Sequence, residues 1–220
     1  MMNSWDRVPS VGRVLHPRHI TVMFLFLLAF GVTSANATAP SITSLSVTSA
    51  KVNGALTITG TNFGSSQGSS YVTINGTQVT TYVSWSTAGT SIKVDVPVGA
   101  LPTGDVKVTV SGSGTSNGVA FTVFPYISPS TASPPGLSLN SGPAMMAFDI
   151  NGSSFGNTQD GNTVDIGTTG FTVVRWSNTQ IEVQVPAGAS TGNVVVTVGG
   201  NASNTEAFTI GTYNSYCPSS

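Results

Sequence analysis

The chain repeats itself. "ITGTNFG" runs from Ile58 to Gly64, and "INGSSFG" runs from Ile150 to Gly156. Each is followed three residues later by a glutamine, Gln67 and Gln159. Further matches keep the same order. Trp85-Ser86 pairs with Trp176-Ser177, and "IKVDVP" (Ile92 to Pro97) with "IEVQVP" (Ile181 to Pro186). Thr103-Gly104 pairs with Thr191-Gly192, and "VAFTV" (Val119 to Val123) with "EAFTI" (Glu206 to Ile210). A set of matches in the same order, offset by 87 to 92 positions, means two copies of one domain rather than a single large fold.

Each copy reads as short strands. Ile92, Val94 and Val96 alternate with Lys93 and Asp95, and Val106, Val108 and Val110 with Lys107 and Thr109. In the second copy Ile181, Val183 and Val185 alternate with Glu182 and Gln184, and Val194, Val196 and Val198 form the matching row. Alternation with period two sends one side of a strand to a core and the other to water. Each sheet should therefore have one dry face and one wet face, with charge on the wet one. Asn75-Gly76 fits a two-residue hairpin whose turn positions both take positive φ. Pro97 and Pro186 end their strands. About seven short strands are predicted per copy. In the first they lie near Ile42–Val47, Ala55–Gly60, Tyr71–Ile74, Thr77–Ser86 with a break, Ser91–Val96, Asp105–Ser111 and Val119–Val123.

Charged residues make up 7% of the chain, against roughly 25% in an average soluble domain. Ser, Thr, Asn and Gly replace them, a mixture that suits strands and turns better than helices. The expected fold class is all-β, with two tandem immunoglobulin-like β-sandwiches. The antibody-type Cys…Trp…Cys spacing is absent.

The ordered set Pro-x-Ile, Ile-x-Gly-x-x-Phe-Gly, Asn-Gly-Thr, Trp-Ser, Ile-x-Val-x-Val-Pro, Thr-Gly and Phe-Thr-Val resembles the IPT/TIG domains. These are immunoglobulin-like modules of plexins, some transcription factors, bacterial surface proteins and starch-acting enzymes. The resemblance covers Pro40 to Val123 and Phe124 to Ile210. The second copy departs from the pattern in two places. Ile127 to Ile150 is 23 positions where Ile42 to Ile58 is 16, so seven extra residues lie there. "DIGTTG" also stands where the first copy has Asn-Gly-Thr. Its first strand and central hairpin are the elements least defined by pattern. In the shared signature, Gly60 and Gly152 are expected to leave a strand with unusual dihedrals. Phe63 and Phe155 are expected to plug one end of each sandwich, and Gly64 and Gly156 to permit the chain reversal.

The domains are expected at 1–37 (signal peptide), 38–123 and 124–210 (IPT/TIG-like sandwiches) and 211–220 (tail). Arg7, Arg13 and Arg18 precede the apolar run "ITVMFLFLLAFGV", and Ala35-Asn36-Ala37 fits small-x-small cleavage. The run is shorter than the roughly 20 residues of a spanning helix. It reads as a leader cleaved before Thr38, the alternative being a retained anchor. Cleavage removes both histidines, His16 and His19. Four basic residues then face seven acids, a net charge of −3 with no basic stripe, so nucleic acid is excluded as a partner. The single Cys217 allows no internal disulfide. It is either a free thiol in the tail or an intermolecular bridge.

Without histidine no histidine-dependent triad or His/Cys zinc site can form. Glycoside hydrolysis needs two facing carboxylates, whereas Asp95, Asp165 and Glu182 sit at outward strand positions. "SGSGTSNG" (Ser111 to Gly118) leads into a strand rather than a helix, so it reads as a flexible hairpin loop and not a phosphate cradle. Asp160, Asn162 and Asp165 are oxygen donors without the twelve-residue calcium-loop spacing. Trp85 and Trp176 are either structural or sugar-stacking, and their equivalent placement favours structure. Asn75-Gly-Thr77, Asn151-Gly-Ser153 and Asn201-Ala-Ser203 fit the glycosylation pattern. No catalytic, cofactor-binding or metal residue is assigned, and no cofactor.

The expected role is structural or adhesive: a secreted or cell-surface, non-enzymatic protein with an unidentified protein or glycan partner and no membrane span after cleavage. The alternative is a carbohydrate-binding accessory module of a polysaccharide-acting enzyme. Only Phe124 separates the copies, and Pro125 restricts it to extended conformations. A semi-rigid, end-to-end arrangement is expected.

Overall fold

The computed structural model describes residues 38–211. The leader, both histidines and Cys217 lie outside the described residues. The described chain is all-β and carries two cores. Ile58, Phe63, Ile92, Val108 and Phe121 belong to the first, and Ile150, Phe155, Ile181, Val196 and Phe208 to the second.

In the first sandwich one sheet orders β1 (Ser41–Leu45), β3 (Ala55–Thr61), β7 (Ser91–Asp95) and β6 (Tyr82–Trp85). The facing sheet orders β2 (Ser49–Ala50), β10 (Val119–Val123), β8 (Thr103–Val110), β4 (Tyr71–Ile74) and β5 (Thr77–Gln78), with β9 (Gly114–Thr115) added to β8. The second sandwich repeats this order strand for strand. One sheet is β11 (Tyr126–Ile127), β13 (Ala147–Ser153), β17 (Gln180–Gln184) and β16 (Thr172–Trp176). The other is β12 (Ser141–Gly142), β20 (Glu206–Ile210), β18 (Gly192–Val198), β14 (Thr163–Ile166) and β15 (Thr169–Gly170), with β19 (Asn201–Ala202) on β18. Each copy thus has ten strands rather than about seven. The extra ones are two-residue pairings that leave no periodic signal. The expected break in Thr77–Ser86 is a change of sheet, since β5 and β6 lie on opposite layers.

The alternating rows point as expected. Val106 and Val108 are buried while Lys107 is exposed, and Val194 and Val196 are buried in the core of the second sandwich. Asn75 and Gly76 both take positive φ (49° and 84°) between Ile74 and Thr77, the primed hairpin turn. The second copy solves the same turn differently. Ile166 pairs with Thr169, and of the two loop residues only Gly167 has positive φ (59°), the pattern with glycine first.

The seven extra residues enter at one point. Ile42 to Leu45 is three positions, whereas Ile127 to Leu137 is ten. Leu137 still bridges Ile150, as Leu45 pairs Ile58. Ser138 accepts from the Asp149 N–H (2.8 Å) as Ser46 accepts from the Thr57 N–H (3.0 Å). The insertion therefore interrupts the first strand where the first copy has a β-bulge, between Ile42 and Ser44.

Phe63 and Phe155 are fully buried. The role expected of Gly60 and Gly152 is corrected. Neither has positive φ. A Cβ at Gly60 would strike the Ser41 carbonyl and the Phe63 ring, and one at Gly152 the Tyr126 carbonyl and the Phe155 ring. These glycines are needed for close approach, because each phenylalanine folds back onto its own strand. The left-handed positions are Asn62 and Gly64 (61° and 79°) and Ser154 and Gly156 (61° and 83°), so the reversal does rest on Gly64 and Gly156.

The second half of Ser111–Gly118 is not a slack loop. Ser116 is buried and its Oγ accepts from the Val108 N–H (3.0 Å). Asn117 then pairs with both main-chain groups of Ile42 (2.9 and 3.1 Å). Ser203 and Asn204 do the same to Val196 and Ile127. This Ser-Asn pair ties the first strand of one sheet to the strand pair of the other.

Candidate functional site

Trp85 and Trp176 end the strands that face their Gly-x-x-Phe-Gly turns. Trp85 Nε1 donates to the Gly64 carbonyl (3.1 Å). Trp176 Nε1 donates to Phe155 and Gly156 carbonyls (2.9 and 3.1 Å). Both indoles pack against their cores, and Trp176 meets Phe155 edge-on. They are braces for the turn, not free stacking platforms.

The oxygen donors Asp160, Asn162 and Asp165 each have a partner of their own. Asp160 accepts from Thr158 and Asp165 from Thr163 (2.8 Å). Asn162 Oδ1 accepts from the Gly199 N–H (3.0 Å). Among the described residues no three His, Cys, Asp or Glu side chains gather to hold a metal ion. The glycosylation-pattern asparagines separate by burial. Asn75 and Asn151 are buried, with Nδ2 donating to Leu101 (2.7 Å) and Pro135 (2.8 Å) carbonyls. Asn201 is half-buried.

Of the acids expected outward, Glu182 takes part in a polar groove on the second sandwich. There Asp149, Arg175, Trp176, Gln180 and Glu182 line about 410 Å³. Asp149 and Arg175 both lie opposite Glu182 in register, and Arg175 Nε is 3.2 Å from Glu182 Oε2. The first sandwich has Thr57, Ser84 and Lys93 in the same register. The arginine is largely exposed, so its ion pair contributes little to stability.

The two copies meet through hydrogen bonds whose partners no sequence pattern marked as a junction. The turn after β7 reaches the Gly-x-x-Phe-Gly end of the second sandwich. The Gly99 N–H donates to Ser153 Oγ (2.7 Å), the Ser154 hydroxyl to the Ala100 carbonyl (2.9 Å), and Asn178 Nδ2 to the Gly99 carbonyl (2.8 Å). Asn178 Oδ1 also accepts from the Gly156 N–H (3.0 Å), which joins the contact to the phenylalanine turn. Ser153 and Ser154 are buried. The first copy has Thr61, Asn62 and Gly89 at these three positions. The signal lay where the repeats differ. The linker is held as well. The Phe124 N–H donates to the Ala50 carbonyl (3.0 Å), and Tyr126 packs against the first core.

Beside this junction lies a cleft of about 590 Å³. Thr48, Ser49, Thr103 and Thr122 line it from the first copy, Phe124 from the linker, and Asn201 from the second copy.

The IPT/TIG domain family matches residues 40–123 and 132–210. No curated protein sequence matches the chain. Among solved structures the chain is similar to a surface glycan-binding protein from Prevotella bryantii, at 15% identity over 76% of this chain and 41% of that one, with a TM-score of 0.43. It is also similar to SGBP-B from a complex xyloglucan utilization locus in Bacteroides uniformis (18% identity, 78% and 49% covered, TM-score 0.33). A third similarity is to the extracellular region of plexin A4 (17% identity, 81% and 16% covered, TM-score 0.35). The chain spans less than half the length of each of these proteins.

Proposed function

The chain belongs to the IPT/TIG domain family, and on that premise we propose an exported, non-enzymatic protein whose tandem sandwiches serve a structural or adhesive role at a cell surface or outside the cell. A fold used for so many tasks supports none of them by itself. The observation that carries the reading is the junction. Its three cross-copy hydrogen bonds and the anchored linker favour two sandwiches held in fixed relation, presenting faces and end loops to a partner. Export is supported by the Arg7-to-Ala37 leader pattern. Mass spectrometry of the native protein should find Thr38 as the first residue in an extracellular or envelope fraction. An intact N-terminus in the cytoplasmic fraction would refute export.

The second reading is carbohydrate binding, favoured by the uncharged cleft between Phe124 and Asn201.

A further inference from the structure

We propose that the cleft beside the junction binds a neutral oligosaccharide; the proposal rests on the carbohydrate-binding reading above. Its size falls in the range of small-molecule sites, and such sites favour places where two domains meet. Its chemistry is selective. Thr48, Ser49, Thr103 and Thr122 supply hydroxyls that both donate and accept, and Asn201 supplies a carboxamide that does the same. A sugar hydroxyl also donates and accepts, so this set answers it group for group. None of the lining residues is ionisable. A charged ligand would give up water without finding a counter-charge, which disfavours uronates, phosphates and charged peptides.

Phe124 supplies the apolar element. The electron-rich face of an aromatic ring attracts the C–H groups on the flat side of a pyranose. The residue is held at its N–H by the Ala50 carbonyl and followed by Pro125, so its backbone is set before any ligand arrives. Asn201 comes from the second copy, so the site is complete only when both sandwiches are docked. The other groove, at Asp149, Arg175 and Glu182, carries an ion pair and lacks this match.

The test uses the mature chain with cellohexaose, xylohexaose, mannohexaose and maltohexaose, and with hexagalacturonate as the anionic control. Amide chemical shifts are followed by NMR. At least one neutral hexasaccharide should shift Thr103, Gly104, Thr122 and Asn201 at millimolar concentration, and hexagalacturonate should not. Asn201→Ala should weaken binding about tenfold, as expected for one lost hydrogen-bonding anchor. Thr103→Arg, at an exposed position, should block the cleft without unfolding the domain. No shift with any of the four, shifts confined to the Asp149–Arg175 groove, or equal binding of hexagalacturonate would overturn the proposal. Solution scattering of the same samples separates the two readings. An unchanged, narrow profile without saccharide binding removes the cleft assignment and leaves the display role standing.

Discussion

Phe63 and Phe155 are the side chains on which the repeat signature depends. Each is fully buried and lies against the glycine three positions before it. Removing either ring leaves a cavity beside a strand that cannot collapse onto it. Phe63→Ala and Phe155→Ala should each cost about 3–5 kcal/mol, a large part of the roughly 5–15 kcal/mol that holds a domain together. Denaturation midpoints equal to wild type would remove the plug assignment. Tyr82 supplies a pH dependence. Burial pushes its hydroxyl above the ordinary 10.0, and this outweighs the Val72 N–H bond to its oxygen, which favours the phenolate. The folded chain thus keeps this proton to higher pH than the unfolded chain does. The stabilisation is complete below pH 10.0 and is lost as pH rises through the raised value. Midpoints for the first sandwich should fall on the alkaline side, and Tyr82→Phe should flatten that fall.

At the level of elements, the insertion makes the sharpest prediction. Gly136 lies so close to Ser128 that a Cβ there would strike the Ser128 carbonyl, so the ends of the inserted loop almost touch. Deleting residues 129–135 would restore the three-position step from Ile127 to Leu137 that the first copy has from Ile42 to Leu45. The deletion also removes the Pro135 carbonyl from Asn151, at a net cost of about 0.5–1.5 kcal/mol. The midpoint should therefore fall less than for Phe155→Ala, and loss of the folded second sandwich would show that the loop is integral to it. Much of this architecture was legible in the sequence because period-two rows and an internal duplicate report the same strands twice. Val106-Val108-Val110 and Val194-Val196-Val198 confirm each other in this way. The two-residue strands were not legible, since pairings such as Ser49–Ala50 and Gly114–Thr115 rest on main-chain groups that any residue carries. The Ser-Asn clamp was present as a repeat, Ser116-Asn117 and Ser203-Asn204. It was hidden because small polar residues near a glycine run read equally well as a turn.

For the whole molecule, the informative positions are those where the copies disagree. Repeats keep what a single domain needs to fold and diverge where one copy does something the other does not. Ser153, Ser154 and Asn178 against Thr61, Asn62 and Gly89 is such a divergence, and all three belong to the junction. The partner side is main chain, Gly99 and Ala100, which no sequence pattern marks. Three hydrogen bonds at about 0.5–1.5 kcal/mol each are modest, but the junction has little entropy left to oppose them. Phe124 is tied to Ala50, and Tyr126 is packed on the first core. The mature protein should therefore scatter as one narrow conformer, extended if the copies stand end to end. Ser153→Ala combined with Asn178→Ala removes two of the three bonds and frees the Gly156 N–H. That variant should widen the distribution of interdomain distances while leaving the midpoint of the first sandwich unchanged, because both lost bonds fall on the main chain of Gly99, which lies outside its strands. A wild-type protein that already shows a broad distribution would mean that the junction does not hold in solution. A variant indistinguishable from wild type would mean that the linker and Tyr126 fix the two copies without help from the serines and Asn178.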